Sequence, residues 1–138
     1  WARRNAALND LDAAPVRWIV DDVQKFLARE QRRGAVYDGI ILDPPSFGRG
    51  SRQELFKIDT HLLDLMEQCR RVLAPRPAFV FLSCHTPGYT PLVLEHLLSQ
   101  GLAGLGGAIE AGEMVLEGGH EVLPVPSGTY AVWSAPVA

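Results

Sequence analysis

Three short clusters hold the groups in this chain best placed to do chemistry. They are Asp21-Asp22, Asp43-Pro44-Pro45 with Phe47 close behind, and Ser83-Cys84-His85. A carboxylate at the end of an apolar run accepts hydrogen bonds from a ligand while the backbone behind it stays in a sheet. The two prolines after Asp43 have no N–H and hold the next residues rigid, exposing carbonyls without ladder partners. That makes a seat for a flat, donor-bearing group, and Phe47 would stack on it. The plain alternative is a proline-terminated strand with a capping aspartate. Cys84 and His85 are nucleophile and base types, and a cysteine hydrolase is one reading of them. Neighbours in a strand point to opposite faces, which keeps the His85 ring from the Cys84 sulfur and makes that reading weak. His61, His85, His96 and His120 lack ligand-like spacing and there is no CxxC, so no metal site is expected.

The elements that must position these clusters alternate. Residues 1–8 read as the end of a helix, with Asn9-Asp10 as a turn. Val16–Val20 alternates like a strand. Asp21-Asp22 offers an N-cap, and Val23, Phe26 and Leu27 begin a helix that Gly34 stops. Ile40-Ile41-Leu42 is a continuous apolar run suited to a buried parallel strand, and residues 46–52 follow as a loop. Leu55, Ile58, Leu62, Leu65, Met66, Cys69, Val72 and Leu73 keep helical spacing until Pro75 and Pro77. Residues 78–82 form another buried strand, and Thr90-Pro91 opens a helix to about Gln100. Residues 108–117 and 129–135 read as a longer strand pair. Such alternation predicts an α/β domain with a parallel core sheet. Ligands bind outside the carboxyl ends of such strands, so the three clusters should converge.

Composition narrows the class. The chain has 138 residues, 47% hydrophobic and 21% charged, about one ordinary globular domain. That excludes a disordered tail, a coiled coil and a collagen-like fibre. No apolar run approaches ~18 residues, which excludes an apolar helical membrane span. Two cysteines make no disulfide framework, and a cytoplasmic location is the simplest expectation. The bases all lie at or before Arg76, thirteen against eleven acids, and the rest of the chain carries five glutamates and no base. A weakly basic half can face nucleic acid, though a solvated surface explains it as well. The chain begins at Trp1 without a methionine, so we expect a piece of a longer protein.

Tyr37-Asp38-Gly39-Ile40-Ile41-Leu42-Asp43-Pro44-Pro45-Ser46-Phe47 resembles motif IV of class I S-adenosylmethionine (SAM) dependent methyltransferases. Its DPP-x-F form is similar to the large-subunit ribosomal RNA cytosine-C5 methyltransferases and their uncharacterised relatives. Val20–Leu27 resembles the strand-3 motif that contacts adenine, Asn5–Asn9 the helix after strand 2, and Leu123-Pro124 with Tyr130–Ser134 the last strand. The resemblance covers nearly the whole chain. It implies the C-terminal portion of a Rossmann-like methyltransferase domain, with parallel strands 3, 4 and 5 and a terminal antiparallel pair. Strands 1 and 2, the glycine-rich loop and the ribose-binding acid would lie upstream. Without them one sheet edge is left raw and apolar, and the isolated piece should be marginally stable or self-associate there.

Carried over residue by residue, the resemblance implies SAM as cofactor, held by Asp22 (with Asp21 as rival), Val23, Asp43 and Pro44. Pro45, Phe47 and Lys57 would face the substrate, expected to be ribosomal RNA. Cys84 ends the family's fifth strand in a Ser-Cys context, where cytosine-C5 enzymes keep the thiolate that attacks C6. It is therefore, with Asp43, the implied catalytic residue, and His85 would assist the thiol. Methyl transfer to another acceptor without a covalent step remains open. So do an inert, buried Cys84 and a non-catalytic α/β module.

Overall fold

The computed structural model describes residues 1–49 and 55–136. Helix α1 spans Ala2–Leu8 and turns out through Asn9 and Asp10. Helix α2, Val23–Arg33, begins where the Asp22 carboxylate accepts the Lys25 N–H at 3.0 Å. It ends at Gly34, whose left-handed backbone (φ 67°) suits a residue without a Cβ. Helix α3, Ile58–Arg71, buries Ile58, Leu62, Leu65, Met66 and Cys69 along one stripe. Helix α4, Pro91–Gly101, is capped by the Thr90 hydroxyl, which accepts the Val93 N–H, and has proline at its first position.

Four strands make the main sheet in the order β1 (Gly39–Leu42), β4 (Phe79–Cys84), β6 (Val125–Ser134) and β5 (Ala108–Leu116). β1 and β4 are parallel, pairing Leu42 with Leu82; β6 runs antiparallel to both β4 and β5. The buried sheet residues Leu42, Val80, Leu82, Ala131 and Trp133 join the apolar stripes of α3 and α4 in one core. Both parallel strands end at the same rim, so Asp43 and His85 come out side by side.

Three expectations need correction. Residues 16–20 do not form the third strand: they run irregularly, with no ladder partner among the described residues. A strand is a paired object, and alternation alone cannot supply the partner; Val20 is fully exposed and Ile41, on β1, is 71% exposed. Phe47–Arg49 is not loop but strand β2, paired antiparallel with β3, Leu55–Lys57. Leu55 therefore belongs to this hairpin rather than to α3, and Gly50, Ser51 and Arg52 of the expected loop lie outside the described residues. Finally, α3 ends at Arg71 because the backbone beyond it pairs elsewhere. Val72 O accepts the Tyr37 N–H at 2.8 Å, and Tyr37 O accepts the Ala74 N–H at 2.9 Å.

Candidate active site

A cleft of about 860 Å³ opens at the carboxyl end of β1. Asp21, Asp22 and Val23 bound one side, and Leu42, Asp43, Pro44 and Pro45 the other. Two of the three clusters thus share one cavity, and the third is tied to it by hydrogen bonds. The Ser83 hydroxyl donates to Asp43 Oδ1 at 2.7 Å, and His85 Nε2 lies 3.7 Å from the same oxygen. The Ser46 and Thr86 hydroxyls are joined at 2.7 Å. A smaller cavity of about 410 Å³ beside α1 holds none of the clusters.

The two neighbouring aspartates are used differently. Asp21 pairs with Arg29 at 2.8 Å and accepts the Asp22 N–H at 2.9 Å. The Arg29 hydrogen bond holds its carboxyl below the ordinary value. Asp22 is the helix cap, and its carboxylate has a second oxygen for a ligand donor. Exposed apolar side chains stand nearby: Val20, Val23 and Ile41 all line the cleft.

The hairpin β2–β3 also contributes to the cleft. Phe47 and Lys57 sit directly opposite each other across the ladder, and both are exposed. Gly48, Arg49, Leu55 and Phe56 line the cleft, as does His61 from α3. Sequence reading missed Arg49 and Phe56 because the hairpin itself was read as loop and helix, and it weighed His61, on α3, only as a metal ligand. It also missed the role of Ser83; the signal was its place one residue past Leu82, which pairs with Leu42 just before Asp43.

Cys84 lies apart from the cleft lining. It is 1% exposed within the core, and its Sγ takes the Thr86 N–H at 3.4 Å. The segment above it is tied down: Tyr89 Oη donates to Asp59 at 3.0 Å, and Thr129 Oγ1 donates to the Tyr89 carbonyl at 2.7 Å. Burial and the Asp59 bond push the Tyr89 hydroxyl up to about 12. Cys69 sits in the core on α3, where burial pushes its thiol up to about 11. Among the described residues no group of His, Cys, Asp and Glu is arranged to hold a metal ion.

The whole described chain superposes on a SAM-dependent methyltransferase from Agrobacterium tumefaciens. The match has a TM-score of 0.89 at 33% identity, over 99% of this chain and 45% of that one. The chain has the Rossmann-like fold of the class I SAM-dependent methyltransferases. A methyltransferase solved with S-adenosylhomocysteine shares the fold, at TM-score 0.65, 22% identity, and 94% and 34% coverage. Among curated proteins, the ribosomal RNA large subunit methyltransferase I of Aeromonas salmonicida is 35% identical over 83 residues. The ribosomal RNA large subunit methyltransferase K/L of Hahella chejuensis is 37% identical over 86 residues. These matches cover 60% and 62% of this chain but only 21% and 11% of the relatives. No protein-family model matches the chain.

Proposed function

We propose that the protein carrying this chain is a SAM-dependent methyltransferase acting on RNA, and that this chain is the C-terminal portion of its catalytic domain. One observation carries the reading: the capped start of α2 and the Asp43-Pro44-Pro45 segment bound a single cleft at the strand ends. The donor and acceptor set there suits the nucleoside half of the cofactor. Asp22 accepts from the adenine amino group, with Asp21 held back by Arg29, and Val23 packs on the ring. Asp43 and Pro44 border the methyl group and the acceptor. Bound SAM supplies an electrophilic methyl on a sulfonium.

Pro45, Phe47 and Lys57 face the substrate: an aromatic ring and an ammonium opposite each other on one exposed hairpin fit a base and its phosphate. A base within structured RNA must leave its stack to enter. Ribosomal RNA is the acceptor favoured by the names of the curated relatives. A cytoplasmic site of action follows from that substrate; among the described residues no helix is long and apolar enough to cross a membrane. The open edge of β1 is the surface through which the isolated chain would self-associate.

The acceptor atom turns on Cys84. Methylation at cytosine C5 needs its sulfur at the base, as the Ser83-Cys84 context suggests. Its burial, and its absence from the cleft lining, favour a second reading in which methyl transfer is direct and no covalent adduct forms. The test is transfer of tritiated methyl from SAM to large-subunit ribosomal RNA by the full-length protein and its Cys84→Ala variant. Retained transfer in Cys84→Ala supports direct chemistry, and abolished transfer with intact cofactor binding supports C5. No transfer to RNA by a folded, SAM-binding wild type overturns RNA as the substrate.

A further inference from the structure

His85 takes no part in the reading above, yet its ring is held with care. Nδ1 lies 2.5 Å from the Ser127 carbonyl oxygen. A carbonyl only accepts, so Nδ1 carries the proton, and Nε2 is left as the basic nitrogen of the neutral ring. That nitrogen is 3.7 Å from Oδ1 of Asp43, and Asp43 lines the cleft. Asp43 is itself fixed by the Ser83 hydroxyl at 2.7 Å.

The ring's position depends on β6. Gly128 has φ 146°, and a Cβ there would stand 2.8 Å from His85 Nδ1 and 2.7 Å from the Cys84 carbonyl oxygen. Among the described residues, Asp43 is the charged group paired with the ring, while Ser127 meets it with a carbonyl and Gly128 has no side chain. Roughly half of the His85 side chain is exposed, which lets a proton leave to solvent.

We infer that His85 is the proton acceptor of the reaction, with Asp43 stabilising the imidazolium it becomes. The inference rests on the methyltransferase reading but not on which acceptor atom is used. An acceptor N–H or C–H gains a methyl and sheds one proton in either chemistry. The bond from methyl to sulfonium breaks with its electron pair staying on sulfur, and the acceptor's own pair makes the new bond. The released proton goes to Nε2 and then to water. No oxidant or reductant is needed.

The test uses the full-length protein with large-subunit ribosomal RNA as acceptor. His85→Gln should bind S-adenosylhomocysteine as wild type does, within about twofold. Its single-turnover methyl transfer should fall about 10²-fold and lose the acid limb of the wild-type pH profile. Added imidazole should restore part of the rate to His85→Gly. Ring ¹⁵N spectra of the ligand-free protein should show the Nδ1–H form. A wild-type rate and pH profile in His85→Gln overturns the assignment, as does an Nε2–H ring. Failure of the wild type to bind S-adenosylhomocysteine overturns the methyltransferase reading, and this assignment falls with it.

Discussion

Asp22 has two jobs in this account, and two substitutions separate them. Its Oδ1 accepts the Lys25 N–H at 3.0 Å, closing the first turn of α2. Losing such a cap costs about 1 kcal/mol, whereas serine retains most of it. As the acceptor for an adenine amino group, the carboxylate would also supply a charge-assisted hydrogen bond. Removing that costs about 1.5–3 kcal/mol, or about 10- to 150-fold in affinity. Asp22→Ala should therefore lose both about 1 kcal/mol of stability and most of its cofactor affinity. Asp22→Ser should keep stability within a few tenths of a kcal/mol and lose affinity alone. Denaturant unfolding reads the first quantity, and calorimetric titration of S-adenosylhomocysteine into the full-length protein reads the second. Wild-type affinity in Asp22→Ser would refute the cofactor role and leave Asp22 as a cap only.

Other outcomes follow from the packing and the polar contacts. Gly128→Ala adds a Cβ against the Cys84 carbonyl at a φ of 146°, and should cost about 1–3 kcal/mol in denaturant unfolding. Leu82→Ala, at a fully buried position in the centre of the sheet, should cost about 2–5 kcal/mol by the same measurement. Ser83→Ala removes the donor that fixes Asp43; methyl transfer should fall about 10-fold, with less than about 1.5 kcal/mol of stability lost. The Tyr37 hydroxyl, 2.8 Å from Glu30, holds the Glu30 carboxyl below its ordinary 4.5. A depressed carboxyl stabilises above its unfolded pKa and loses that stabilisation as pH falls through the folded one. Tyr37→Phe should therefore move the acid unfolding midpoint, followed by circular dichroism, to higher pH.

Local signals in the sequence marked the elements with their own punctuation. Asp22 and Gly34 bracket α2, Thr90-Pro91 opens α4, and the apolar runs before Asp43 and in 78–82 mark the two parallel strands. These same signals placed three clusters at one rim, and the Ser83–Asp43 bond joins two of them. What was not legible depends on partners distant in the chain. Val16–Val20 has strand alternation but no neighbour to pair with among the described residues. The β2–β3 hairpin lacks a run long enough to reveal it, and Leu55 keeps helical spacing with α3 by coincidence of phase. The burial of Cys84 also escaped its motif, because the turn over it, which carries Thr86 and Tyr89, is tied down by Asp59 of α3 and Thr129 of β6, both distant in the chain.

The central claim is that the cleft bounded by Asp22 and Asp43 receives the nucleoside of SAM. The most direct measurement is calorimetric titration of S-adenosylhomocysteine into the folded, full-length wild-type protein. One-to-one binding in the micromolar range is expected. A well-folded protein that binds no S-adenosylhomocysteine would contradict it, and the DPP-x-F resemblance would then reflect ancestry rather than activity.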